Sequence, residues 1–191
     1  MRDSASRSIT FIVGIAFLPS SLPVLPEAAY VSYASALGRV LHISGRSTQT
    51  EHGRDEGTLP GDWADMHGWP ELAATVRRVY DSLSPAERSQ AVVFTGNYGE
   101  ASAVAFFAPN VPVISEHNQY WLWGTRGYSG NILIQVGGTC FRSDSLFARR
   151  TLAATVTNRW AISYEKNLPI WLCRGIKKPL RQVWSSIKSY E

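Results

Sequence analysis

Charge is scarce in this sequence. Asp, Glu, Lys and Arg make up 18% of its 191 residues, and 19 basic against 15 acidic side chains leave a formal charge of only +4. No dense Lys/Arg block interleaves with aromatics, so no nucleic-acid partner is expected. The two cysteines, Cys140 and Cys173, are far apart and form no Cys-x-x-Cys pair. They suit either a disulfide in an exported chain or two buried small hydrophobes. The histidines His42, His52, His67 and His117 show no His-x-x-x-His spacing and no cysteine pair nearby, so no metal is expected. There is no Gly-x-Ser-x-Gly elbow, and neither cysteine has a visible histidine partner, which argues against a nucleophilic hydrolase. Gly96-Asn97-Tyr98-Gly99 has the wrong glycine spacing for a dinucleotide fingerprint, and no cofactor is implied.

Apolar and aromatic residues are plentiful. A hydrophobic share of 45% is enough to bury the core of one ordinary domain. Seven Trp and eight Tyr fit either a large core or a surface that stacks on sugars or sits at a membrane interface. Met1 to Ser8 is polar with two arginines, and Ile9 to Leu18 is apolar, as in a signal peptide, but no small-x-small cleavage site follows. That run is too short to span a bilayer, which takes about 20 residues. Pro19, Pro23 and Pro26 predict an extended exit. The expected organisation is therefore residues 1–26 as the end of a membrane helix or a signal-like segment with a Pro-rich exit, then residues 27–191 as an α/β domain.

Within that domain, Glu27 to Leu37 predicts a helix between Pro26 and Gly38, and residues 44–61 predict a long loop. Trp69 to Leu83 carries Leu72, Val76, Val79, Tyr80 and Leu83 on one helical stripe. Ser84-Pro85-Ala86-Glu87 is a capping-box pattern opening a short helix. The continuous apolar run from Ala91 predicts a buried strand, broken at Gly96 and followed by a helix to Phe107. Val113–Ser115, Asn131–Val136 and Pro169–Cys173 read as further strands, and Phe141–Leu152 as helical. Pro179–Ile187 reads as an amphipathic segment with Leu180, Val183, Trp184 and Ile187 inward. Strand, tight turn and helix open a βαβ unit, so the expected fold is a single α/β domain with a mostly parallel sheet and flanking helices, a Rossmann-like three-layer arrangement.

In such sheets ligands sit beyond the carboxyl ends of the strands. Two polar and aromatic clusters follow predicted strands: Asn97, Tyr98, Gly99 and Glu100, then His117, Asn118, Tyr120, Trp121 and Trp123. Amides and carboxylates beside indole faces are what a sugar needs, because its hydroxyls take hydrogen bonds while its C–H face stacks. The plainer alternative is that Glu100 is there for the helix dipole and that one of the indoles is core. Asp62, Trp63, Asp65, His67 and Trp69 form a third cluster, best read as residues that cap and staple the helix after it.

Four stretches together carry a family resemblance: Leu59-Pro60 through Ala64-Asp65-Met66 to Gly68-Trp69-Pro70-Glu71-Leu72; Phe94-Thr95-Gly96-Asn97-Tyr98-Gly99-Glu100-Ala101; His117-Asn118 with Tyr120-Trp121-Leu122-Trp123-Gly124; and Pro169-Ile170-Trp171-Leu172-Cys173-Arg174-Gly175. They resemble the C-terminal extracytoplasmic domain of bacterial polytopic glycosyltransferases of the protein-mannosyltransferase-like superfamily. The resemblance covers roughly residues 20–191. It implies that Ile9 to Pro26 ends a membrane helix, that the membrane is a partner, and that the domain lies on the extracytoplasmic side of the bacterial cytoplasmic membrane. The family uses a polyprenyl-phosphate-linked sugar as donor, and its catalytic acid lies between the first membrane helices, outside the matched stretches. No catalytic residue carries over, and the implied function is non-catalytic recognition of acceptor or glycan. The alternative is an independent small-ligand binder or enzyme using the 96–100 turn.

Overall fold

The computed structural model describes residues 2–41, 59–140 and 146–190. Residues 44–58 of the expected loop, together with His42 and His52, lie outside the described residues. The chain divides into two compact units, Met1–His67 with Trp160–Ser163 and Gly68–Arg159 with Tyr164–Glu191.

The first unit holds α1 (Arg2–Ser21), α2 (Glu27–Val40) and α3 (Gly61–Ala64). Helix α1 continues through Pro19, so the extended exit begins two residues later than the prolines predict. The fixed φ of proline is helical, and in the last turn the ring costs only one backbone bond. Helix α2 likewise runs past Leu37 and through Gly38. The Tyr33 hydroxyl ties the two helices, donating to the Ala16 carbonyl at 2.8 Å and lying 3.0 Å from Ser20 Oγ. Tyr30, Leu59, Ala64 and Ile162 form a small core, with the Tyr30 and Trp63 rings 4.4 Å apart. No described helix is long and apolar enough to cross a membrane.

The second unit begins with α4 (Trp69–Asp81), whose stripe of Leu72, Val76 and Val79 is buried, and α5 (Pro85–Arg88), opened by the Ser84–Glu87 capping box. Strand β1 (Ala91–Thr95) leads into α6 (Tyr98–Phe107), then β2 (Val113–Ser115), α7 (Asn118–Leu122), β3 (Ile132–Val136), β4 (Phe147–Thr157), β5 (Asn167–Ile176) and α8 (Leu180–Val183). A 3-10 turn over Trp184–Ile187 continues α8 and buries Leu180 and Trp184. The strands form one sheet in the order β2-β1-β3-β5-β4. Pairs β1–β2 and β1–β3 are parallel, whereas β3–β5 and β4–β5 are antiparallel.

The fold is thus α/β with flanking helices, but its sheet is mixed rather than mostly parallel. The difference traces to one segment. Residues 147–152, expected to be helical, belong to the edge strand β4; residues 141–145 lie outside the described residues. Arg149, Arg150, Leu152 and Ala153 favour a helix on intrinsic grounds, yet Thr151, Thr155, Val156 and Thr157 are β-branched, and pairing along β5 outweighs local preference.

Every residue of β1 is buried, which is why Ala91 to Phe94 are apolar without alternation. Ala91, Val93, Ile134 and Val136 face a core built with α4 and α6. Val92, Phe94 and Leu133 face a second core with Leu180, Trp184 and the Cys140–Cys173 disulfide. Of the two options the sequence left open, the cysteines take both: they are bonded and fully buried.

Candidate functional site

The chain leaves β1 through α6 to reach β2, then returns past β1 to place β3 on its other side. This reversal makes a topological switch point at the carboxyl ends of β1 and β3, beside the turns that follow β1 and β2. Buried polar side chains concentrate there. Thr95, Glu100, Ser115, His117 and Gln135 are five of the seven buried polar residues among those described. Burying a polar group costs free energy unless it is partnered, so such a concentration calls for an explanation.

The strand ends are stitched first. Ser115 Oγ donates to the Thr95 carbonyl at 3.0 Å and accepts from the His117 backbone N–H at 3.2 Å, while Thr95 Oγ1 donates to the Asn97 carbonyl at 2.8 Å. Asn97 then caps α6, its Oδ1 accepting the Glu100 N–H at 2.8 Å. Glu100 closes the reciprocal box, its Oε2 accepting the N–H of Gly96 at 3.1 Å and of Asn97 at 3.4 Å. Asn97-x-x-Glu100 thus repeats the capping logic of Ser84-x-x-Glu87, a signal the sequence carried in plain view.

The two boxes differ in what they do to the acid. Glu87 is solvent-facing, and its bonds to Arg174 and Ser84 hold its carboxyl below the usual range. Glu100 is 4% exposed. Burial raises its carboxyl to about 7, against the opposing pull of the Asn97 and Gly96 N–H groups and with help from the charge on Glu116. A carboxyl at that value exchanges its proton near neutrality.

His117 precedes α7 and is also 4% exposed. Its Nδ1 accepts the Tyr98 N–H at 3.3 Å, which joins the first turn of α6 to the start of α7. An acceptor nitrogen carries no proton, so the neutral ring holds its proton on Nε2. That Nε2 is buried and has no hydrogen-bond partner among the described residues. The Tyr98 ring lies 5.1 Å from the His117 ring and is itself 55% exposed. Gly99 is required by packing, because a Cβ there would come within 3.1 Å of both Asn97 Oδ1 and the Trp69 ring.

The remaining aromatics divide. Trp121 and Trp184 exchange hydrogen bonds, each indole N–H donating to the other's backbone carbonyl at 2.9 and 3.0 Å, and Lys188 Nζ lies 4.3 Å from the Trp121 ring. Trp121 therefore ties α7 to the C-terminal segment, with its ring half-buried. Trp123 is 52% exposed, with its ring 4.7 Å from that of Tyr120, whose hydroxyl lies 3.2 Å from Ser102 Oγ. Asn118 adopts a left-handed φ of 49° at the start of α7. The edge thus gathers Asn97, Tyr98, Gly99, Glu100, His117 and Asn118, with Tyr120 and Trp123 on the adjoining helix α7 and its end.

No family model, curated protein or solved structure matches this chain. Among the described residues no three His, Cys, Asp or Glu side chains group as metal ligands. In the first unit, His67 Nε2 lies 3.5 Å from Glu27, and burial raises the Asp65 carboxyl with a smaller contribution from Asp62. What the switch-point edge can do chemically is donate one buried N–H, exchange one carboxyl proton and offer exposed aromatic faces.

Proposed function

We propose that this chain is a non-catalytic recognition domain that binds a glycan at the carboxyl edge of β1 and β2. It would work on the extracytoplasmic side of a bacterial membrane, beside a glycosyltransferase that uses a polyprenyl-phosphate-linked sugar. The observation that carries the reading is the buried, unpartnered His117 Nε2 next to the Glu100 capping box. An orphaned buried donor is costly, and a ligand hydroxyl oxygen relieves it. Exposed Tyr98 and Trp123 rings supply the stacking faces that a sugar ring uses. The disulfide is in keeping with an oxidising compartment, and the four motif stretches support the family context. In the same reading the parallel half, β2-β1-β3, is the Rossmann-like part of the fold, and the β5–β4 pair is an addition to it.

An amide NMR titration of the whole chain with short oligosaccharides tests this. Shifts confined to residues 96–100 and 117–123, lost in Trp123→Ala, are expected. Absence of any shift at millimolar glycan overturns it. One observation favours a second reading: the Glu100 carboxyl at about 7 suits proton transfer, as an independent enzyme using this turn would need. Turnover of an activated sugar by the purified chain, abolished by Glu100→Gln, would select that reading instead.

A further inference from the structure

The opposite, amino-terminal edge of the parallel strands holds a separate cavity of about 530 Å³. Tyr80, Arg88, Ser89, Asn110, Arg126 and Tyr128 contribute to its walls, and among the described residues no carboxylate does. These residues come from the segments that precede β1, β2 and β3, together with the end of α4, so the fold itself brings them together.

Two guanidinium groups in one concavity repel each other unless an anion lies between them. Among the described residues no carboxylate pairs with Arg88. Its neighbour Glu87 is taken by Arg174, whose Nε and Nη2 both lie 2.9 Å from Oε1, and by Ser84. Arg88 Nη2 donates to the Leu83 carbonyl at 3.2 Å, which holds the side chain in place, and its Nε is buried with no acceptor among the described residues. Arg126 and Asn110 both sit at left-handed φ, 50° and 74°. An arginine rarely adopts that conformation, and strain of this kind persists where the surroundings impose it. The loop carrying Asn110 is pinned as well, since Arg77 Nη2 donates to the Pro109 carbonyl. Tyr80 and Tyr128 are half-buried and offer ring faces beside the cationic groups, with the Tyr80 hydroxyl 3.4 Å from the Arg88 carbonyl.

We propose that this cavity binds a phosphomonoester with a ring-shaped body. The phosphate dianion would accept from the guanidinium groups of Arg88 and Arg126, with Ser89 and Asn110 as neutral donors. Guanidinium forks match phosphate oxygens, and two forks from different directions suit a tetrahedral dianion better than a planar carboxylate. The cavity volume is within the range of small-molecule sites, and the tyrosine faces would take the ring. This site is independent of the glycan edge and stands or falls without it.

The test is an amide NMR titration of the full chain with inorganic phosphate, phenyl phosphate, benzoate and succinate as separate probes. Phosphate should shift Arg88–Gln90, Asn110–Val111 and Arg126–Tyr128 saturably, and phenyl phosphate should bind about tenfold tighter through its ring. Arg126→Gln, at an exposed position, should weaken phenyl phosphate by about tenfold or more while leaving the spectrum elsewhere unchanged. Arg88→Gln should do the same, and Arg126→Gln keeps the test valid if loss of the Leu83 contact unfolds that variant. The proposal is overturned if neither phosphate probe saturates by about 20 mM, if Arg126→Gln binds as tightly as the parent, or if benzoate or succinate binds more tightly than phenyl phosphate.

Discussion

The two ends of the parallel strands solve opposite problems with the same backbone. At the carboxyl edge, Glu100 and His117 are buried, and each is held by backbone groups of the turn that follows β1. At the amino edge, Arg88, Arg126 and the Glu87–Arg174 pair are partly or fully exposed to water. The contrast teaches where this domain spends stability. Buried polar groups couple strongly to folding and to pH, whereas exposed charges contribute little and remain available for ligands.

The largest expected effect is common to both edges, because both hang on the same sheet. Cys173→Ser opens a cross-link spanning 33 residues and should cost about 3 kcal/mol of unfolding free energy, read by urea denaturation. A dithiol reductant should reproduce it in the parent and change nothing in the variant.

The next effect separates the edges. The Glu100 carboxyl titrates at about 7 when folded and near 4.5 when unfolded. Between those values the folded chain binds the extra proton, so stability falls as pH rises from 4.5 to about 7 and is flat above. The total change is on the order of 3 kcal/mol at most. Glu100→Gln should remove this slope while keeping an oxygen for the Gly96 and Asn97 N–H groups. The amino edge has the reverse sign. Glu87 is held below its ordinary value, so its pairing contributes at neutral pH and is lost as acid protonates it. Arg174→Met should therefore destabilise only above that range.

Asn97→Ala removes the α6 cap and should cost about 1 kcal/mol by urea denaturation, with the Glu100 amide losing hydrogen-exchange protection first. The smallest change in stability belongs to Trp123→Ala. At an exposed position it should stay within about 0.5 kcal/mol of the parent while changing the glycan response at the carboxyl edge. A large loss of stability there would show that Trp123 is core and break the contrast.

Much of this architecture was legible from residue order. The apolar run of β1, the stripe of α4, the Ser84–Glu87 box and strands β2, β3 and β5 follow from periodicity and capping, which act locally. Strand β4 did not, because its Arg- and Ala-containing sequence is decided by pairing with β5, a partner that lies after it in the chain. The candidate edge was visible as two clusters separated by 16 residues, but the division between them was not. Nothing in Tyr120-Trp121-Leu122-Trp123 says that Trp121 exchanges hydrogen bonds with Trp184 while Trp123 stays open. Nor could composition show that His117 would be left with a buried nitrogen and no acceptor, since that depends on the Tyr98 backbone meeting its other nitrogen. The Arg88 and Arg126 cavity was missed altogether. Its residues are scattered over three connections, and left-handed φ at Arg126 has no sequence signature.

The central claim is that the carboxyl edge is a preformed polar site made by burial. A carbon-13 NMR titration of the Glu100 side-chain carboxyl, with nitrogen-15 detection of His117, measures it directly. The expected result is a Glu100 midpoint near 7 and a His117 ring whose Nδ1 accepts from Tyr98 and whose proton lies on Nε2. A Glu100 midpoint near 4.5, or a His117 proton on Nδ1, would mean an open and solvated turn and would contradict the account.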